Sequence, residues 1–163
     1  MKTFKSSIDN FFRWVNSSEL VELTDIDVSE DPVRPELDLE WRLSSERKIY
    51  GLKYKDDIEG IICIAYTNEV PITVREMDYM SQVACQDGQS GKIAIAYTVW
   101  SRKRGAGREI IQKVLEYAKA QGIERVVTLS PLTPMATHFH IKNGAKQISI
   151  NDTTQNFEYN LDK

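Results

Sequence analysis

An apolar run, Ile93-Ala94-Ile95-Ala96-Tyr97-Thr98-Val99-Trp100, passes directly into the basic glycine loop Arg102-Lys103-Arg104-Gly105-Ala106-Gly107. Arg108 to Gln121 then reads as an amphipathic helix, with Ile110, Ile111, Val114, Leu115 and Ala118 on one face and Gly122 as its stop. A strand that turns through glycines into a helix commits the chain to a mixed α/β architecture. It also brings loop N–H groups and a helix N-terminus to one point, a geometry that holds anions. Arg102, Lys103, Arg104 and Arg108 surround that point, and the arrangement suits a pyrophosphate. Alone, a basic glycine loop is also what an ordinary turn with solvated charges looks like, so the flanking elements carry the argument.

Lys48 to Lys55 alternates in polarity, and a polar turn at Asp56-Asp57-Ile58-Glu59 leads to the apolar Gly60-Ile61-Ile62-Cys63-Ile64-Ala65-Tyr66. This predicts a hairpin whose second strand is the more central. Arg125 to Ser130 reads as a short buried strand, Met135 to Asn143 as a short helix ended by Gly144, and Lys146–Ile150 and Asn156–Leu161 as closing strands. Ile8, Phe11, Phe12 and Val15 are spaced for a short helix. Thr24 to Glu40 is acidic and punctuated by Pro32 and Pro35, which predicts a loop or poorly ordered connection with a solvated charged surface. Asn68 to Gly91 shows no sustained period and is expected to be a long surface loop, a mobile lid beside the site.

The chain has 163 residues with 41% hydrophobic content, the size of one compact domain able to bury roughly 70% of its unfolded surface. A single domain over 1–163 is therefore expected. The formal charge of −3 excludes a general nucleic-acid-binding face, which needs cations well beyond one loop. Cys63 and Cys85 have no metal-ligand or redox spacing and read as free thiols. The N-terminus lacks a signal peptide's apolar segment, and no run is long enough to cross a bilayer, so a soluble cytoplasmic protein without membrane partners is expected.

The strand–loop–helix with Arg-x-x-Gly-x-Gly at Arg102, Gly105 and Gly107, followed by strand, short helix and strand, resembles the GNAT superfamily of acyl-CoA-dependent acyltransferases over about residues 48–161. The resemblance implies a mostly antiparallel twisted sheet flanked by helices. It implies acetyl-CoA or another acyl-CoA as substrate, no metal, and transfer of the acyl group to an unidentified amine, in a possible homodimer. It places the pyrophosphate on the loop residues Arg102, Lys103, Arg104, Gly105, Ala106, Gly107 and Arg108, and the pantetheine arm along the preceding strand at Tyr97 and Val99. Val99 stands where the family commonly has proline, a change that leaves binding intact. Tyr97 and Trp100 border the acyl pocket or belong to the core. Phe139-His140-Ile141-Lys142-Asn143-Gly144-Ala145 resembles the family's Phe-Tyr-x-Lys-x-Gly-Phe signature, with His140 in place of the tyrosine that commonly protonates the departing thiolate. An imidazole with its ordinary pKa of about 6.5 can give or take a proton near neutrality.

Thr128-Leu129-Ser130-Pro131 and Phe139-His140-Ile141-Lys142-Asn143-Gly144-Ala145 also resemble segments of malonyl-CoA decarboxylase, a family of the same fold, whose catalytic serine and histidine fall on Ser130 and His140. Loss of carbon dioxide from a malonyl thioester leaves an enolate, which needs hydrogen-bond donors and then a proton. The decarboxylase's long helical N-terminal domain has no counterpart here. Three functions thus stand: acyl transfer to an amine, decarboxylation, and acyl-CoA binding without catalysis. The plain alternative for the pair is that Ser130 ends a strand and His140 is a buried helix residue bonded to a carbonyl. His138 lies about 200° around the helix from His140 and is expected at the surface.

Overall fold

The computed structural model describes residues 18–86, 88 and 90–162, and the expected helix at Ile8–Val15 lies outside them. The strands are β1 (Glu19–Leu23), β2 (Lys48–Tyr54), β3 (Asp57–Thr67), β4 (Ile93–Ser101), β5 (Arg125–Thr128), β6 (Ser130–Pro131), β7 (Lys146–Ile150) and β8 (Thr154–Tyr159). The helices are α1 (Leu39–Leu43), α2 (Val74–Gln86), α3 (Ala106–Ala120) and α4 (Pro134–Lys142), with a 3-10 turn at Val28–Glu30. One eight-stranded sheet runs β1-β2-β3-β4-β5-β8-β6, with β7 also on β8. Among the described residues only β4 and β5 pair in parallel. The mostly antiparallel sheet flanked by helices is the expected architecture.

The alternation of β3 explains the layering. Ile62 and Ile64 face the apolar stripe of α3, including Ile110, Ile111, Val114 and Ala118. Ile61, Cys63 and Ala65 face the opposite layer, with Met77 of α2, Tyr97 and Trp100. Successive side chains of a strand point to opposite faces, so an almost wholly apolar β3 must be covered on both. The β2–β3 hairpin forms as expected but turns more tightly, at Lys55-Asp56, and β3 already begins at Asp57. Both cysteines are free thiols.

One expectation is corrected and another holds except at one residue. The segment 68–91 is not one long loop: it contains the thirteen-residue helix α2, whose Met77, Ser81 and Ala84 are buried. Pro71 and Ile72 in its lead-in accept hydrogen bonds from Asn156 and Thr154, which fasten it to β8. The acidic stretch 24–40 does keep Asp25, Asp27, Glu30, Glu36, Asp38 and Glu40 exposed, as expected, and Asp31 is the exception. Asp31 is 1% exposed and accepts from Arg42 at 2.7 Å, from the Thr98 hydroxyl of β4 at 2.8 Å, and from the N–H groups of Val33 and Arg34. This carboxylate bolts the segment before α1 to the central strand.

Candidate active site

The site is made by a parting of strands. β4 and β5 run in register from Ile93↔Arg125 to Ala96↔Thr128, and the last main-chain bond between them is Leu129 N–H to the Ala96 carbonyl, 3.0 Å. Two local features end the pairing. On the β3 side the register of β4 jumps between Cys63↔Thr98 and Ile64↔Ala96, so Tyr97 is an extra residue that bends the strand. On the other side the Asn156 amide donates to the Thr128 carbonyl at 2.8 Å, taking an acceptor that a strand would use. The expected strand Arg125–Ser130 is therefore broken at Leu129, and Ser130 belongs to the short β6 paired with Gln155.

A cleft of about 320 Å³ opens beyond this point. Val99, Trp100, Met135, Ala136 and Phe139 make it largely apolar, and Ser130 and His140 lie in its wall together with the β4 stretch 96–101. Met135, 82% exposed, stands at its surface. Tyr97 contributes to the wall from the bulge, yet its ring is buried edge-on against Trp41 with centroids 5.5 Å apart. Trp100 also borders the cleft, held by its indole N–H on Glu30 at 3.1 Å. His138 is exposed and outside this cleft.

The glycine loop follows β4. Gly105 adopts φ 86° and caps α3, which begins at Ala106, two residues earlier than its apolar spacing indicates. The loop is pinned by Arg102 N–H to the Glu59 carbonyl at 2.7 Å and closed by Ala106 N–H to the Lys103 carbonyl at 3.1 Å. Among the described residues no acceptor takes the N–H groups of Gly107 or Arg108, and no side chain caps the helix. A helix N-terminus so exposed attracts an anion. Gly107 packs closely: a Cβ there would meet Phe139 and the Ser101 hydroxyl at 3.1 Å. The four cations divide. Arg102 is clamped to Glu30, with Nε at 2.9 Å, and Lys103 pairs with Glu59 at 3.3 Å. Arg104 and Arg108 are exposed and form no ion pair among the described residues.

At the other end of the cleft the polar pair is buried, Ser130 at 3% and His140 at 7% exposure. Phe157 N–H donates to Thr128 Oγ1 at 3.1 Å, and Thr128 and Ser130 share a hydroxyl–hydroxyl bond of 2.8 Å. When Thr128 donates in that bond, the Ser130 proton is free for the cleft. His140 Nδ1 lies 2.7 Å from the Tyr159 hydroxyl, and its ring sits among Phe139, Phe157 and Tyr159. Burial pushes its pKa down to about 4, so the imidazole is neutral at pH 7. Tyr159 was not among the sequence candidates. Its phenol pKa is pushed up by the same burial. Glu30 is the carboxylate lining this cleft, and it is engaged by Arg102 and Trp100.

The family model for acetyltransferases of the GNAT type matches residues 9–145. Among curated protein sequences none matches this chain. Solved structures of similar fold include an acetyltransferase from Bacillus subtilis in complex with CoA, at 9% identity and TM-score 0.61, covering 88% of this chain and 98% of that one. The loading GNATL domain of CurA from Lyngbya majuscula is 16% identical with TM-score 0.62, covering 90% and 98%. The malonyl-CoA decarboxylase from Cupriavidus metallidurans is 23% identical with TM-score 0.52 over 76% of this chain, which spans only 33% of the decarboxylase. At such identities the likeness is one of fold. With the parted strands, the glycine loop and the family match over most of its length, the chain belongs to the GNAT acetyltransferase family.

Proposed function

We propose that this protein binds an acyl-CoA with its pyrophosphate on the loop 102–108 and its pantetheine arm along β4, and that it acts on the thioester with Ser130 and His140. One observation carries the reading: a single apolar cleft borders β4 just ahead of the glycine loop and has Ser130 and His140 together in its wall. Gly105, Gly107 and Arg108 supply N–H groups, with Ala106 closing the loop between them, Arg104 and Arg108 supply positive charge, and Val99 lines the arm's path. Lys103 and Arg102 hold the loop to Glu59 and Glu30 and add to the positive field.

Transfer of the acyl group to an amine is the reaction that family membership supports. The amine nitrogen attacks the thioester carbonyl, the C–S bond breaks, and the CoA thiolate takes a proton, with His140 placed to supply a hydrogen bond or proton at the sulfur. Acetyl-CoA is the simplest donor for this route.

The state of His140 favours a second reading, decarboxylation of a malonyl-type thioester. A neutral imidazole is a weak acid, poorly matched to a thiolate but well matched to a thioester enolate, a far stronger base. In this route the bond from the α-carbon to the carboxylate breaks, its electron pair moves to the thioester oxygen, and carbon dioxide leaves. Ser130 donates a hydrogen bond to the developing oxyanion, and the α-carbon then takes a proton from His140, which recovers it from solvent, while the C–S bond stays intact. Among the described residues the carboxylate in the cleft wall, Glu30, is engaged by Arg102 and Trp100, which suits a reaction that deprotonates no amine.

Incubation with malonyl-CoA alone, followed by mass spectrometry, tests both. Acetyl-CoA formed without an acceptor identifies the decarboxylation. Free CoA that forms only when an amine is added identifies the transfer, and tight binding without turnover of either kind overturns catalysis.

A further inference from the structure

Arg34 is the lone cation of the acidic stretch Thr24 to Glu40, and its guanidinium lies where β4 and β5 part. Nη2 donates to the Leu129 carbonyl at 3.1 Å, and Nε reaches the Tyr97 carbonyl at 3.5 Å. Arg34 thus spans the first gap in the ladder after the Ala96–Leu129 bond. The side chain is 9% exposed. The other buried arginines each meet a carboxylate, Arg42 on Asp31 at 2.7 Å and Arg47 on Asp78 at 3.2 Å. Among the described residues Arg34 donates to carbonyl oxygens alone. The neighbouring Asp31 has Oδ2 taken by Arg42 and Oδ1 by Thr98 and two main-chain N–H groups, one of them that of Arg34 itself. Nη1 has no acceptor among the described residues.

A guanidinium this buried is desolvated, and burial lowers its pKa while the more distant charges of Glu36 and Asp31 offset the effect. Its hydrogen-bonded partners among the described residues are neutral carbonyls, and a bonded anion would balance the charge better than the more distant carboxylates do. The planar fork matches a carboxylate better than any other small group. Its place is also specific. Leu129, whose carbonyl it holds, directly precedes Ser130, and Pro32 and Val33 of its own segment line the cleft with Ser130 and His140.

We propose that Arg34 recognises a carboxylate at the far end of the acyl chain, so that the site selects malonyl- or succinyl-type thioesters over neutral ones. The inference rests on the acyl-CoA reading above and names the class of acyl group. Arg34 lies behind the cleft wall that Pro32 and Val33 form, so with the thioester between Ser130 and His140 an acyl chain must run on past these two residues to bring its carboxylate to the guanidinium.

Titration calorimetry with CoA, acetyl-CoA, butyryl-CoA, malonyl-CoA and succinyl-CoA tests it. The acidic acyl-CoAs bind roughly ten- to a hundredfold more tightly than acetyl-CoA, the range expected of a charged hydrogen bond. Arg34→Met abolishes that preference, with free CoA affinity as the internal reference for an intact site. Should Arg34→Met fail to fold, Arg34→Lys decides: a reduced preference supports the proposal, and an unchanged one overturns it. Equal binding of all five ligands overturns the role of Arg34 and leaves the acyl-CoA reading standing, whereas absence of CoA binding removes both. Turnover of acetyl-CoA with amines that do or do not carry a carboxylate separates the sources: a preference confined to the acceptor overturns the acyl-chain assignment.

Discussion

The Tyr159 hydroxyl and His140 Nδ1 lie 2.7 Å apart in the interior, and His140 but not Tyr159 lines the cleft. When the phenol donates to Nδ1, the ring carries its proton on Nε2, the tautomer that presents a donor to the site. Burial keeps that ring uncharged. Turnover is therefore flat between pH 6 and 8 with respect to His140, because its pKa of about 4 lies well below that range. A pH–rate profile that falls as pH rises through about 6.5 would instead make the imidazolium the active form.

Tyr159→Phe removes the partner that sets the tautomer while keeping the ring in place. It lowers turnover by roughly tenfold and leaves CoA affinity unchanged, whereas His140→Ala lowers turnover by about 10²–10⁴-fold. His138→Ala has little effect. Steady-state kinetics with calorimetry for CoA read these out, and near-normal turnover in folded His140→Ala would assign the residue to packing.

The same burial makes stability depend on pH. Unfolded, His140 takes up a proton near its ordinary 6.5; folded, it does so only near 4, so the unfolded state binds more protons between these values. Its contribution is complete above about pH 6.5 and is lost as pH falls toward 4, amounting to about 2 kcal/mol between pH 7 and pH 5. Urea denaturation at the two pH values measures the loss, and His140→Phe should flatten it.

Gly105 and Gly107 fail for different reasons when replaced by valine. At Gly105 a side chain has open space but must adopt φ 86°, a strained backbone for a β-branched residue. At Gly107 it meets Phe139 and Ser101 at 3.1 Å and pushes α4 away from the loop. Both lower CoA affinity at least tenfold by calorimetry, far more than a change at the exposed Lys146, and unchanged affinity in both would dismiss the loop as the anion site.

Asp31→Ala strands Arg42 without its ion and frees the Thr98 hydroxyl. A buried charge left alone costs about 3–5 kcal/mol. Asp25→Ala, a few residues earlier on the exposed surface, changes stability by less than about 0.5 kcal/mol. Equal denaturation midpoints for the two variants would return Asp31 to the solvated surface.

These contrasts show what periodicity and spacing can carry. The β2–β3 hairpin, helix α3 and the loop at Gly105 were legible because strand alternation, helical spacing and glycine are written locally. Helix α2 was not, because its buried face uses Ser81 and Ala84 beside Met77, residues that raise no apolar signal. Nothing in sequence distinguishes Asp31 from the other acids of its stretch; its partners Arg42 and Thr98 are fixed only by the fold. Ser130 and His140 were found through resemblance, and the structure brings them to one cleft. Tyr159 and Arg34 escaped, since their partners come from other elements, although one cation between two prolines in an acidic run was a usable cue.

The segment 31–42 gives the site a wall and not a door. The Asp31–Arg42 pair braces the segment itself, Asp31 ties it to Thr98 and Arg34 bridges Tyr97 and Leu129, so it is latched to the parted strands at three places. A reaction that joins two molecules across the parting needs this wall to swing aside to admit the second. A molecule that arrives with its reacting group already attached needs only the mouth by which it came, and its product leaves the same way.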